Sequence, residues 1–348
     1  MSVLADAWYR NAAWLKLLRP LSALFKLLVT RRCRRQRQYQ IDPSPLPVPV
    51  IVVGNITVGG TGKTPLVIAL IEHLRQAGYT PGVVSRGYGT QAPYYPFSVQ
   101  ADTVPEHGGD EPCLIVRRTG APLFIDPNRM AAANALLEQH DCDVLISDDG
   151  LQHYAMPRDI EIAVIDAARG LGNARCLPEG PLREPPERLE EVDWVVFNGQ
   201  VPTQLLSLPP LANVPVAMQL QPGELWSLQG KRAVAPADWS DGRQVHAVAG
   251  IGHPQRFFDT LNTLGFDVIE HPFADHAHYE PEQLTFEPEL PVIMTEKDAV
   301  KCMEQPPAQA WALPVEACLE PDFLSALLKQ LAARSAQLMD KHNGSQAT

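Results

Sequence analysis

From Val50 onward, short runs of Val, Ile and Leu alternate with stretches whose apolar positions recur every three or four residues. The runs read as buried strands at 50–53, 81–85, 143–147, 160–166 and 192–198, and the periodic stretches as helices at 66–77 and 129–140. Strands alternating with helices predict an α/β fold, a mostly parallel sheet wrapped on both faces. The rhythm lapses over 216–240, where only short strand-like pieces at 216–220 and 224–228 stand out. It resumes at Val245 with strands at 245–249, 268–270 and 292–295 and helices at 254–264, 280–285 and 320–340. The predicted organisation is an arm over 1–40, a core over 41–215, a linker over 216–240 and a smaller C-terminal α/β domain over 241–348.

The arm has a different pattern. Lys16, Arg19, Ser22, Lys26 and Thr30 step by three or four along one helical face, while Leu15, Leu17, Leu18, Leu21, Leu24, Phe25 and Leu28 make up the remainder. Charges interrupt it too often for a membrane span, which needs about 20 consecutive apolar residues. Trp8, Tyr9 and Trp14 suit the headgroup level, and Arg31, Arg32, Arg34, Arg35 and Arg37 follow. A helix kinked at Pro20, lying in the interface of an anionic membrane through residues 3–37, is the expectation. The alternative is an amphipathic helix packed on the protein's own core.

Charge supports a divided molecule. Residues 1–40 carry nine Lys/Arg and one acid, a net of +8 in a chain of net −11, so the rest carries −19. An acidic body argues against a nucleic-acid partner, while a basic arm suits an anionic surface. The six cysteines are scattered with no C-x-x-C pair, which predicts reduced thiols and neither a disulfide frame nor a zinc site.

The chemistry is concentrated after the first strand. There the chain reads Thr57-Val58-Gly59-Gly60-Thr61-Gly62-Lys63-Thr64, a glycine-rich turn opening a helix, and the whole run from Thr57 to Thr64 is the candidate nucleotide-binding segment. Glycines let backbone N–H groups converge on phosphate oxygens, Lys63 supplies a point charge at the β/γ-phosphates, and Thr64 offers a hydroxyl to Mg²⁺. The turn departs from the usual phosphate loop in having Thr57 five residues before the Gly-Lys pair, where glycine is customary. Val58 stands where dimeric switch ATPases carry a second lysine, which argues against a nucleotide switch. A monomeric enzyme is the expectation.

Asp148 and Asp149 end an apolar strand about 85 residues downstream and suit the magnesium half of a triphosphate site. Arg86 and Arg129 are candidate phosphate clamps. Asp110 and Glu111 fall in an apparent glycine-flanked loop, positioned to act as base or metal ligand. Asp275-His276-Ala277-His278 pairs a carboxylate with imidazoles able to orient or relay a proton.

Several ordered segments together resemble the tetraacyldisaccharide 4′-kinases, the lipid A 4′-kinase family. They are Gly54–Pro65, Ser85–Gly89, Gly109–Pro112, Asp148–His153, Arg158–Ile162, Leu177–Glu184, Gly250–Phe258 and Thr295–Lys301. The resemblance implies a P-loop core joined by a two-stranded linker to a smaller α/β domain, with the reaction in the cleft between them. It implies ATP-dependent phosphorylation of the 4′-hydroxyl of a lipid A disaccharide 1-phosphate, giving lipid IVA for lipopolysaccharide biosynthesis at the cytoplasmic face of the inner membrane. It further implies a base at Asp110 assisted by His276, with Thr64, Glu111, Asp148, Asp149 and Gln152 near magnesium and nucleotide, and Arg86, Arg129 and Arg183 on phosphates. Asp275-His276-Ala277-His278 departs from the family's Asp-His-His, so the assisting histidine is assigned to the one after the aspartate.

Overall fold

The computed structural model describes residues 3–39, 46–202, 208–230, 232–275 and 277–345. Helix α1 (Val3–Arg10), a 3-10 turn over Ala13–Leu18 and helix α2 (Arg19–Tyr39) form the arm. Pro20 stands in the first turn of α2, where its missing N–H breaks no helical bond, so it starts the long helix instead of kinking one.

The first α/β unit runs β1 (Val50–Gly54), α3 (Lys63–Gln76), β2 (Pro81–Ser85) and β3 (Phe97–Val99). It continues through α4 (Pro105–Gly108), α5 (Asp110–Thr119), β4 (Leu123–Ile125), α6 (Arg129–Gln139), β5 (Val144–Ser147), β6 (Ile160–Asp166), β7 (Trp194–Asn198) and β8 (Val216–Pro222). The second unit holds β9 (Leu225–Ser227), β10 (Ala233–Val234), β11 (Gln244–Ala249), α7 (Pro254–Thr263), β12 (Asp267–Pro272), β13 (Val292–Thr295), α8 (Glu296–Ala299) and β14 (Ala310–Leu313). β15 (Val315–Leu319) and α9 (Pro321–Ser345) complete the chain.

Among the described residues these strands form two sheets. The larger has the order β15-β8-β7-β6-β1-β5-β2-β4-β3, parallel from β8 through β4, with antiparallel strands at both edges. Its central strands are apolar on both faces because helices cover both: Ile51 and Val53 pack with Leu66 and Leu70 of α3, and Val50 and Val52 with Ala132 and Leu136 of α6. The smaller sheet, β10-β9-β14-β13-β11-β12, is parallel from β14 to β12 and buries Phe257, Phe258 and Leu261 of α7.

Two boundaries differ from expectation. Residues 216–240 are shared between the units: β8 joins the large sheet and, paired with β15, makes a two-stranded passage to the small sheet, which β9 enters. Nor does 241–348 form one unit. β15 pairs antiparallel with β8, and Phe323, Leu327 and Leu331 of α9 fill the large sheet's core, with Phe323 edge-on to Trp194 at 5.1 Å. The apolar spacing of α9 is legible in sequence, but the face it covers is a tertiary choice. The helix expected at 280–285 is one 3-10 turn, Pro281–Leu284.

The arm meets the protein through a mixed face, on which Leu15 is buried and Phe25 packs against the core. Polar contacts join it there: Arg19 Nε lies 2.9 Å from Glu179, Ser22 Oγ donates to the Cys176 carbonyl at 2.8 Å, and Lys26 approaches Glu187 at 4.0 Å. Trp14, Leu17, Leu21, Leu24 and Leu28 make an exposed stripe, Leu17 being 81% exposed. The expected headgroup roles of Trp8 and Tyr9 are not what the structure gives them. Trp8 is buried and donates its indole N–H to the Pro178 carbonyl at 3.0 Å, and Tyr9 lies under the Arg169 guanidinium. Among the described residues, no helix is long and apolar enough to cross a membrane.

Candidate active site

The carboxyl ends of β1, β2 and β5 open into a cleft of about 1230 Å³ whose far wall is the second unit. In the large sheet β1 lies between β5 and β6, and its own connection leads to β2 while β5 leads to β6. Chain direction thus diverges beside β1, the arrangement that leaves a crevice for ligands at strand ends.

The turn from β1 to α3 forms one wall. Gly62 caps α3 at φ +95°, a left-handed conformation, and a Cβ there would sit 2.5 Å from Asn198 Nδ2. Glycine is therefore required twice over, for backbone and for space. Lys63 and Thr64 follow in the first turn, both largely buried. The opening of the loop is spent on the protein itself: Val58 N–H donates to the Pro181 carbonyl at 2.9 Å, and buried Thr57 bridges Leu182. This corrects the expectation that Thr57 and Val58 offer themselves to phosphate, and explains why a residue with a side chain stands where glycine is customary. Gly59 through Thr64 line the cleft.

Asp148 and Asp149 leave β5 beside this loop, and their environments pull them apart. Asp148 is fully buried and pushed up to about 7, by burial first and then by Glu111 and Asp149. Its Oδ1 has no hydrogen-bond partner, while Oδ2 has only Ser85 Oγ at 3.5 Å. Burial also works against Asp149, but Lys63 at 3.4 Å and Arg183 at 3.0 Å outweigh it and hold the carboxyl at about 2. Asp149 adopts φ +47°, uncommon for a residue with a side chain and a form of strain often found at functional sites.

Arg129 begins α6 behind Asn128, which accepts from Met130 N–H as the N-cap. Its guanidinium donates to the carbonyls of Asp148 and Asp149 at 3.0 and 2.8 Å and so braces the turn bearing both acids. Arg86 is exposed on the cleft wall near it. Gln152 lines the cleft, but its amide N donates to the Asn55 carbonyl at 3.0 Å and to Glu184 at 2.7 Å. Beneath it Tyr154, Glu161, Glu184 and Arg188 form a buried cluster: Tyr154 donates to Glu184, and Arg188 donates to Tyr154 Oη and pairs with Glu161.

Asp110 and Glu111 open α5; they are not in a loop as the flanking glycines suggest. Gly109 at φ +89° makes the abrupt entry. Lys301 lies 3.6 Å from Asp110, and Lys297 reaches Glu111 at 3.2 Å and Asp275 at 3.0 Å. His276 lies outside the described residues; its neighbours Asp275 and His278 line the cleft. The structure thus gathers Lys63, Thr64, Arg86, Asp110, Glu111, Arg129, Asp148, Asp149, Gln152 and Arg183 around one cavity.

Sequence reasoning gives no individual role to Asn198, Arg256 or Gln36, and it assigns Arg32 to the basic run facing an anionic membrane. Asn198 donates to the Thr61 carbonyl at 3.1 Å and accepts from Arg256 at 2.8 Å, a bridge between the phosphate loop and the second unit. Arg32 and Gln36 of α2 line the same cavity as Lys63. Nothing local marks Asn198, which ends an ordinary strand.

The relatives match this architecture. A family model for tetraacyldisaccharide-1-P 4′-kinase matches residues 14–332. The tetraacyldisaccharide 4′-kinase of Stutzerimonas stutzeri (strain A1501) is 53% identical over 333 residues, covering 94% of this chain and 96% of the relative. That of Pseudomonas fluorescens (strain SBW25) is 51% identical over 337 residues, covering 95% and 97%. The crystal structure of LpxK from Aquifex aeolicus in complex with ATP superposes with a TM-score of 0.73 at 27% identity, over 92% of this chain and 99% of that one. The chain belongs to the tetraacyldisaccharide-1-phosphate 4′-kinase family.

Proposed function

We propose that this protein transfers the γ-phosphoryl group of ATP to the 4′-hydroxyl of a tetraacyldisaccharide 1-phosphate at the cytoplasmic face of the inner membrane, acting as a monomer. One observation carries the reading: the phosphate loop and the arm helix, which turns an apolar stripe outward, border the same cavity. A substrate with several acyl chains stays in the bilayer, so its kinase needs a surface that enters the interface beside the nucleotide. The kinship with an LpxK crystallised with ATP supports the choice of nucleotide.

In this reading Lys63 and the amides of Gly59–Thr64 grip the β- and γ-phosphates, and Arg86, Arg129 and Arg183 neutralise charge around them. The 4′-oxygen attacks the γ-phosphorus in line while the bond to the β-phosphate oxygen breaks, releasing ADP. The hydroxyl proton passes to Asp110, assisted by His276. The arm's polar face is held by Glu179, Cys176 and Glu187, leaving its leucines for lipid.

The residues present fit a magnesium ion. Asp148 offers a buried, unpartnered carboxylate oxygen, with Asp149, Glu111 and the Thr64 hydroxyl on the same cavity. Among the described residues, no three His, Cys, Asp or Glu side chains form a complete metal cage. Mg²⁺ binds through one or two carboxylates and completes its shell with water and phosphate oxygens, and Asp148 with Asp149 could supply the carboxylates. When bound it would offset charge on the phosphate oxygens.

The test is incubation with γ-labelled ATP, Mg²⁺ and the lipid disaccharide 1-phosphate, alongside Lys63→Ala and Asp110→Asn. Label on the lipid with the wild-type protein alone is the expected result; equal labelling by Asp110→Asn would sink the base assignment.

A further inference from the structure

Helix α5 and the segment Thr295–Cys302 meet across the cleft with matched charges. At the far end of α5, Arg118 Nη1 donates to both carboxylate oxygens of Glu296 at 2.9 Å, and Arg117 Nη1 donates to the Val300 carbonyl at 3.3 Å. At its near end the acids Asp110 and Glu111 meet Lys301 and Lys297, four residues apart and so on one side of their turn. The two lysine side chains are only 5% and 15% exposed.

Each lysine has a second partner that leads to the other wall. Lys297 also bonds Asp275, the residue before His276. Burial works against its charge, yet Glu111 and Asp275 hold the ammonium well above the usual lysine range. Lys301 also bonds Asp298 at 3.1 Å. Asp298 is wholly buried and accepts from Gly250 N–H at 2.9 Å, Thr295 Oγ1 at 2.6 Å and Tyr279 Oη at 2.7 Å. Gly250 begins the loop whose Gly252 abuts Gly60 of the phosphate loop, and Tyr279 closes the loop that carries Asp275.

We propose that Lys297 and Lys301 are positioning residues for phosphoryl transfer, two cations on one turn that hold Asp110 and Glu111 in register with the Asp275–Tyr279 loop of the facing wall. The proposal rests on the kinase reading. The two-bonded Arg118–Glu296 pair already docks the far end of α5 on the segment, so the lysines are not needed merely to join the two units. Their contribution is alignment, and small misplacements of reacting groups have large effects on rate.

The experiment compares full-length wild type with Lys297→Met, Lys297→Arg, Lys301→Met and, as a docking control, Arg118→Met. It reads lipid labelling kinetics, affinity for a fluorescent ATP analogue, melting temperature and amide hydrogen exchange over residues 273–280. Each Lys→Met change is expected to lower kcat by about 30- to 100-fold, with KM for ATP and analogue affinity within about threefold. Exchange in 273–280 should accelerate, and Lys297→Arg should recover much of the lost kcat. Arg118→Met should instead lower the melting temperature and keep kcat within about threefold. The proposal is overturned if both Lys→Met variants keep kcat within about twofold, or if nucleotide affinity and melting temperature fall in step with kcat and arginine rescues nothing. A wild-type protein that leaves the lipid unlabelled would overturn the kinase reading instead. The exchange measurement needs no turnover and would still decide whether the lysines align the two walls.

Discussion

Two charged clusters lie a few residues apart in this protein and are built on opposite plans. In the lower one, Tyr154, Glu161, Glu184 and Arg188 are buried together, the phenol and both carboxylates have partners, and only Arg188 Nη1 makes no hydrogen bond. In the upper one, Lys63, Asp148, Asp149, Arg129 and Arg183 surround a cavity, Asp148 keeps a bare oxygen, and Asp149 sits in a strained conformation. Polar groups satisfied by one another make scaffolding. Groups held buried without their full set of partners are poised for something else. Gln152 joins the two, hydrogen-bonded to Glu184 below while lining the cleft above.

The comparison is broken most forcefully from below. Arg188→Met leaves Glu184 buried without its cation and Glu161 with Arg158 as its remaining one, and the loss of stability should be about 3–5 kcal/mol by urea unfolding. Nucleotide-site chemistry should weaken only as far as the fold does. From above, Lys63→Ala should cut kcat by about 10²–10³, equivalent to about 3–4 kcal/mol of transition-state stabilisation, with an unfolding midpoint close to wild type.

A pH titration sharpens the contrast. Burial first, then Arg129, Arg158, Arg32 and Arg86, hold His153 down at about 4 against an ordinary 6.5. The unfolded chain therefore takes up this proton before the folded one, and stability declines as pH falls from about 6.5 to about 4, by up to roughly 3 kcal/mol. Above that window the contribution is constant. Denaturant unfolding across the window should show this slope, and His153→Gln should remove it.

The smallest effect on the fold belongs to the arm. Replacing Leu17, Leu21, Leu24 and Leu28 by Gln should change stability by under about 0.5 kcal/mol per site, because these side chains are already exposed. The same variant should lose cosedimentation with anionic vesicles. Truncating residues 1–37 is a poorer test, since Trp8, Leu15 and Ser22 are packed into the protein.

What was legible in the sequence follows from locality. The strand–turn–helix with Lys63 and the apolar run ending in Asp148 and Asp149 are written in consecutive residues, and the folded chain brings them side by side. Sequence places Asp110 in a loop because Gly108 and Gly109 hide a helix start that has no side-chain cap. The commitment of Val58 N–H to the Pro181 carbonyl is invisible in sequence because the bond spans more than a hundred residues. The polar face of the arm was correctly traced, but amphipathicity leaves open which face meets the protein. Here the inward face is mixed, with Arg19 and Ser22 bonded to the protein and Leu15 and Phe25 packed on it.

The polypeptide enters the smaller sheet just after Gly223 and leaves it at Pro314, and these two residues are hydrogen-bonded at 3.0 Å. Ninety residues are thus stitched into the middle of another fold at what is spatially a single point. A short splice across that stitch should yield a trimmed polypeptide that still folds its nine-stranded sheet. Any swing of the inserted piece must also turn about one narrow double-stranded strap.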